Sequence, residues 1–355
     1  MYYSFSTYIF FICSLLVLQS CTSNPSDPFN PQNGSFDQEQ VEAETATLNA
    51  HDNLLLAGTT EGAFKKQLNN SSDWNQAGLQ IDSSTVVDFI IWDEVEMLAA
   101  VRYDSVRQHK PTLFKSNDSG TSWDTVDVTK PKGYDYFVVH FLELLQSLSS
   151  KDIIAYAGTI IQSTDKGKSW STIYKNGFFS EFLSVSPYHP NQIWTGGWTS
   201  IFSPYLAKSE DSGKTWTLLN ENVHAGDANS YDVVLHPNDA DQVLVGMGGA
   251  VSNVNRIRKS TDGGQNWQNV LQGYNIRTLT HKAQNPEMVY ASGINAQGTL
   301  FFAASGDFGE SWDTVEWEDS PAGVQINDMV SVMEDGREVL YFGTNKGVFS
   351  YTFNE

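Results

Sequence analysis

The sequence predicts an all-β fold: a single β-propeller of seven four-stranded blades, closed by an N-terminal strand. Three observations predict it. A short motif recurs at near-constant spacing, strand-like runs are grouped around every copy, and the last unit is one strand short.

The motif is S-x-D-x-G-x-[S/T/N]-W. It occurs with Asp118, Gly120 and Trp123, with Asp165, Gly167 and Trp170, and with Asp211, Gly213 and Trp216. Two further copies carry Asp262, Gly264 and Trp267, and Asp307, Gly309 and Trp312. A decayed copy ends at Asp73-Trp74, and successive tryptophans are 49, 47, 46, 51 and 45 residues apart. Such a period marks a repeat architecture. A short carboxylate accepts hydrogen bonds from turn N–H groups. Glycine takes the positive φ of a tight hairpin, and tryptophan buries a large ring between units. One aspartate per turn, the same in every unit, reads as a rule of the fold rather than a metal or catalytic centre.

Strand signals surround each copy. From Tyr231 the chain reads YDVVLHP, DADQVLVGMGG, NRIRKSTDGGQNW and QNVLQG. The same order recurs over 182–219 and 278–317. Four strands per unit is the composition of a propeller blade. The phrases Ser186–Trp194 and His236–Leu244 read as turns into second strands, with their histidines as turn residues. The seventh unit, from about Gln325, has three strands and no motif. A segment near Phe36–Val41 is therefore expected to supply its fourth strand and remove the open sheet edge. Phe141–Leu148 has apolar spacing that suits a helix, expected as a small insertion.

The repeated motif resembles the Asp-box, or BNR, repeat from about residue 45 onward. Members of this group include sialidases, xyloglucanase-like hydrolases, sortilin-type receptors and photosystem II assembly factors. The resemblance implies a ligand face formed by loops leading into the innermost strands and loops joining second to third strands, with the motif hairpins on the opposite face. The candidate ligand-face residues are Arg102, Tyr103, Arg107, His109, Trp198, Tyr205, Asp227, Arg256, Tyr274, Arg277 and Trp317.

Residues 1–20 read as a signal peptide, because the ten-residue apolar run 9–18 is shorter than the roughly 20 residues that span a bilayer as a helix. Leu18-Gln19-Ser20-Cys21 resembles the bacterial lipobox. That implies cleavage before Cys21 and its lipidation, although residues 1–8 lack the basic residues such signals carry. Residues 21–35 then form a Pro- and Asn-rich tether and 36–355 the propeller. The expected location is the cell envelope, at the outer membrane, with its face left open.

The chain has 355 residues, 42 acidic against 21 basic, for a net charge of −21. Nucleic acid is excluded as a partner, since phosphate binding needs a basic face. A sialidase needs three arginines around its substrate carboxylate. The chain has six, of which Arg102, Arg256 and Arg277 suit one face, and the family's Arg-Ile-Pro motif is absent. A xyloglucanase-like enzyme places two carboxylates across a cleft between two propellers, and only one propeller fits here. No EF-hand-type spacing is present; no metal or cofactor is assigned, and Ca²⁺ on an acidic loop is left open. The reading is a binding or assembly module for an envelope or extracellular protein or a glycan. The alternative is a glycoside hydrolase, sialidase-like or xyloglucanase-like.

Overall fold

Seven antiparallel four-stranded sheets make up the protein. They are seen in a computed structural model describing residues 31–69, 73–104, 112–129, 131–132, 138–144, 152–175, 179–199, 204–219, 228–249 and 255–354. The first strand, β1 (Gly34–Gln38), belongs to the last sheet. Blade 1 is β2 (Thr45–His51), β3 (Leu54–Thr59), β4 (Gly62–Gln67) and β5 (Asn75–Gln76). Blade 2 is β6 (Ser84–Ile91), β7 (Met97–Tyr103), β8 (Leu113–Ser116) and β9 (Asp124–Thr125). Blade 3 is β10 (Phe141–Leu144), β11 (Ile153–Tyr156), β12 (Ile160–Ser163) and β13 (Ser171–Tyr174). Blade 4 is β14 (Phe179–Val185), β15 (Ile193–Trp198), β16 (Pro204–Ser209) and β17 (Thr217–Leu218). Blade 5 is β18 (Asn229–His236), β19 (Asp239–Gly248), β20 (Arg256–Ser260) and β21 (Gln268–Gln272). Blade 6 is β22 (Asn275–Lys282), β23 (Asn285–Ile294), β24 (Leu300–Ser305) and β25 (Asp313–Glu316). Blade 7 is β26 (Ile326–Glu334), β27 (Arg337–Thr344) and β28 (Gly347–Phe353), completed by β1.

The expected closure is present. β1 pairs β28 from Gly34↔Phe353 to Gln38↔Phe349, so the N-terminal segment supplies the outermost strand of blade 7. The outermost strands β5, β9 and β17 are only two residues long. Short edges of this kind offer little backbone for pairing with another chain.

Second strands such as β3 (LLLAGT) and β11 (IIAY) are buried along their whole length. Both faces of each blade are covered by its neighbours, which explains why these segments are apolar runs rather than alternating ones. The core is therefore a set of seams between blades. One seam joins Leu56, Val86 and Phe89 to Ala99 across blades 1 and 2, with Trp123 packed against it. Trp170, Trp216, Trp267 and Trp312 pack in the corresponding seams of later blades.

Blade 7 has no motif tryptophan, and its seam with blade 6 is aromatic instead. Phe36 of β1 stacks on Trp317 with centroids 4.8 Å apart and planes 6° apart. It also contacts Phe302, Phe342 and Tyr351.

Two expectations are corrected. Phe141–Leu144 is not helical: it is the innermost strand of blade 3, paired with β11 from Phe141↔Tyr156 to Leu144↔Ile153. Residues 145–148 of that segment lie outside the described residues. The innermost strands of blades 4, 5 and 6 also start earlier than the alternation indicates. Each carries a β-bulge, at Ser180/Phe182, Ser230/Asp232 and Ile276/Thr278. A bulge inserts one residue and breaks the period of two.

Candidate functional site

The motif turns are the first candidate, and their geometry explains every fixed position. In the Ser116–Trp123 copy, Ser116 Oγ donates to Asp118 Oδ1 at 2.8 Å and accepts from Gly120 N at 2.9 Å. Asp118 Oδ1 accepts Ser122 N at 2.8 Å, and Oδ2 accepts Ser122 Oγ at 2.6 Å. The same four bonds recur around Asp165, Asp211, Asp262 and Asp307. The Ser/Thr/Asn position is thus a second donor to the carboxylate, a role the spacing alone did not disclose.

Trp170, Trp216 and Trp267 each donate the indole N–H to the carbonyl of the motif glycine, at 2.9–3.0 Å. Trp312 departs from this, its buried Nε1 lacking a partner among the described residues. The glycines have positive φ, as expected, and so do the residues before them: Ser119, Lys166, Ser212, Gly263 and Phe308. Donation from Ser122 and its neighbours holds the Asp118 carboxyl down at about 2, and donation from the Thr215 backbone and side chain does the same for Asp211. Each aspartate is saturated by its own turn.

These turns join third to fourth strands. Antiparallel pairing places them at the end of the blade opposite the second-to-third connections, so the two sets of loops occupy opposite faces.

The second candidate is the central channel. Residues of all seven innermost strands line a cavity of about 440 Å³, among them Asn49, Asp88, Glu143, Leu183, Asp232, Thr278 and Asp328. Ala46, Phe141, Glu181, Tyr231, Arg277 and Asn327 also line a mouth of about 470 Å³ above it. The mouth opens where second strands end and innermost strands begin, at Arg102, Ile294, Glu44, Thr85, Asn275 and Gln325.

Three aspartates occupy the same register position, directly after the bulge: Asp88, Asp232 and Asp328. Each accepts two backbone N–H groups, one its own neighbour's and one from the next blade. Asp88 takes Phe89 N at 2.8 Å and Leu142 N at 2.7 Å. Asp232 takes Val233 N at 2.7 Å and Leu279 N at 2.8 Å. Asp328 takes Met329 N and Leu48 N, both at 2.8 Å. The partner blades answer with Thr278 and Thr47 hydroxyls. Glu143 receives the backbone of Val185 in blade 4, and Asn49 Nδ2 donates to the Phe89 carbonyl in blade 2 at 3.4 Å.

Burial pushes Asp88 and Asp232 up to about 7 and Asp328 to about 6, against the opposing pull of their N–H donors. Burial also raises Glu143 strongly, aided by the charges of Asp88, Asp232 and Asp328. Among the described residues no group of three His, Cys, Asp or Glu side chains is placed to hold a metal ion. These carboxylates were not singled out from sequence. The signal was there, as one acid inside an apolar strand in VVDFI, YDVVL and NDMVS.

The predicted ligand-face residues separate into three groups. Arg102 and Arg277 reach the mouth together, and the Arg277 guanidinium lies 3.9 Å from the Tyr231 ring centroid. Trp198 stands beside it, stacked on the exposed Phe179 at 4.3 Å and donating to Glu181 at 2.7 Å.

The second group packs wholly or partly against the blades. Tyr205 is fully buried, its hydroxyl hydrogen-bonded with Ser180. Arg256 is buried on the third strand β20 and lines neither cavity, so the three-arginine arrangement is not assembled. Trp317 is held by Phe36, Tyr103 packs against the blade 1–2 seam, and Tyr274 lies against Phe301 with its hydroxyl on Glu316. Aromatic side chains in loop-like sequence were drawn into the seams because burying their area is favourable. Arg107, His109 and Asp227, the third group, lie outside the described residues, as does Cys21.

No protein-family model matches the chain, and no curated protein sequence matches it. Solved structures do. YCF48 bound to D1 peptide superposes with a TM-score of 0.65 at 16% identity, over 92% of this chain and 98% of that one. The GH74 xyloglucanase from Xanthomonas campestris gives 0.62 at 14% identity, over 89% of this chain and 53% of the enzyme. The Niastella koreensis GH74 enzyme gives 0.57 at 16%, over 87% and 43%. This chain spans about half or less of those two hydrolases. At these identities the likeness establishes the propeller fold.

Proposed function

We propose that this protein is an envelope-anchored lipoprotein, held by lipid on Cys21, whose Asp-box propeller binds a protein partner at the mouth of its channel. The observation that carries the reading is the mouth itself. It gathers two guanidinium groups, amides and aromatic rings from most of the blades onto one open surface, while the carboxylates beneath are engaged by backbone N–H groups of adjacent blades. A polar, partly aromatic concavity on a rigid scaffold suits an extended chain. The likeness to a propeller bound to a peptide, along nearly the full length of both chains, supports this. The acidic surface favours a partner that is neutral or basic overall.

The test is co-purification of the full-length protein from membranes after mild cross-linking. A stoichiometric partner, lost when Arg277 and Tyr231 are both replaced by alanine, is the expected result. Recovery of the protein alone, together with turnover on a panel of xyloglucan and sialoside substrates, overturns it.

One observation favours a second reading, glycan hydrolysis. Asp88 and Asp232 have the raised pKa that a general acid needs, and the hydrolase likeness points the same way. In that case Asp88→Asn and Asp232→Asn abolish turnover on the same panel.

A further inference from the structure

Among the described residues six lysines pair with carboxylates, Lys208 with Glu210 on its own strand end and five others elsewhere in the blades. Lys66 pairs with Glu39 and Glu334, Lys115 and Lys166 with Glu96, Lys259 with Glu310 and Lys282 with Glu338. Arg102 and Arg277 are not among them, and both face the mouth. Neither has a carboxylate within ion-pairing distance among the described residues, although Glu44 and Glu181 share the rim with them. Glu181 is held by the Trp198 indole instead. The Arg102 charge is felt by half-buried His140, whose pKa is lowered first by burial and then by this guanidinium, so His140 supplies no counter-charge. Arg277 is fixed in orientation by the Tyr231 ring, and its N–H groups meet no acceptor among the described residues.

A protein with 42 acidic and 21 basic residues offers carboxylates widely. Two guanidiniums without one among the described residues, both lining the same opening on the axis, mark where an external acceptor is received. We propose that the mouth binds its partner through a single carboxylate, an Asp or Glu side chain or the C-terminus of an extended peptide that is otherwise neutral or basic. The inference rests on the reading of the mouth as a peptide site.

Two length scales reconcile this with the acidic surface. Repulsion from the whole molecule is screened over about 8 Å at physiological ionic strength. A planar guanidinium in contact with a carboxylate makes short, charge-assisted bonds that screening scarcely weakens. A second anion would be repelled by the overall charge, so one carboxylate is favoured over many. The channel also sets a floor. The backbone N–H donors beneath the mouth are already taken by Asp88, Asp232 and Asp328, so the carboxylate finds its donors at the rim.

The experiment is a random dodecapeptide phage selection on the purified full chain and on an Arg102→Gln/Arg277→Gln variant. Glu94→Gln, exposed between β6 and β7 on the opposite face, serves as a charge-matched control, and folding is checked by circular dichroism. Peptides recovered by the wild type are synthesised with each carboxylate and with the matching amide, and affinities are read by fluorescence anisotropy. The expected result is a 10- to 100-fold loss, about what hydrogen bonds to a charged group supply, when one carboxylate becomes an amide. The double-arginine variant shows the same loss, and the two changes together show no further loss. Should that variant not fold, Arg102→Gln alone, at an exposed side chain, carries the same comparison. Recovered peptides that bind equally as amides, or equally to the arginine variant, overturn the carboxylate proposal while leaving peptide binding in place. Binding of oligogalacturonate but of no peptide overturns both readings.

Discussion

Asp328 on the innermost strand of blade 7 accepts the backbone N–H of Leu48 on the innermost strand of blade 1 at 2.8 Å. The ring is therefore closed twice, at its outer edge by β1 on β28 and at its axis by this carboxylate. Thr47 adds a hydroxyl to the same oxygen at 3.3 Å. Asp88 and Asp232 make the equivalent link from blade 2 to blade 3 and from blade 5 to blade 6.

Replacing Asp328 with alanine leaves the Leu48 N–H without its acceptor and should lower stability by about 1–3 kcal/mol. Urea unfolding checks this. If β1 alone secures closure, the variant unfolds at the wild-type midpoint.

Stability should peak in the weakly acidic range. Asp118 and Asp211 are held near 2, below the ordinary 3.8, so their contribution is present above 3.8 and lost as pH falls through about 2. Asp88, Asp232 and Asp328 are raised to about 7, 7 and 6, so their contribution is present below 3.8 and lost as pH rises through 6–7. Thermal unfolding should give a higher Tm at pH 5 than at pH 8. General repulsion in a chain of net charge −21 has the same sign. The discriminating measurement is therefore an Asp88→Asn/Asp232→Asn variant, whose Tm should change less over that interval. An undiminished slope would count against the channel carboxylates.

Asp262→Ala should cost about 1–3 kcal/mol, because Asn266 N and Nδ2 and Ser260 Oγ lose their acceptor together. Binding at the opposite mouth should be unchanged per folded molecule. Chemical denaturation paired with an affinity measurement separates the two, and a folded variant that has lost binding would assign these turns a ligand role.

Phe36→Ala should destabilise by about 3 kcal/mol, since it removes the ring that stacks on Trp317 and meets Phe302, Phe342 and Tyr351. Limited proteolysis should then cut first near β1. Unaltered cleavage kinetics would show that strand pairing alone holds this segment.

Much of the fold is encoded locally. The motif spacing, the two-residue alternation of strands and the missing seventh fourth strand gave seven blades and the closing segment, because turn chemistry and pleat act over a few neighbouring residues. Bulges hid the starts of three innermost strands, and Phe141–Leu144 read as helical where a strand was required at the axis.

The site was less legible. Arg102 and Arg277 were chosen from their loops, yet so were Tyr205 and Arg256, which the blades bury, and Trp317, which Phe36 half covers. Asp88, Asp232 and Asp328 went unnoticed because each is unremarkable within its own strand. Their meaning comes from partners 54, 47 and 280 residues away. A chain carries its periods in short segments. Which side chains face the axis, which enter a seam and which remain without a counter-charge is set only when distant blades close into a ring and exclude water between them.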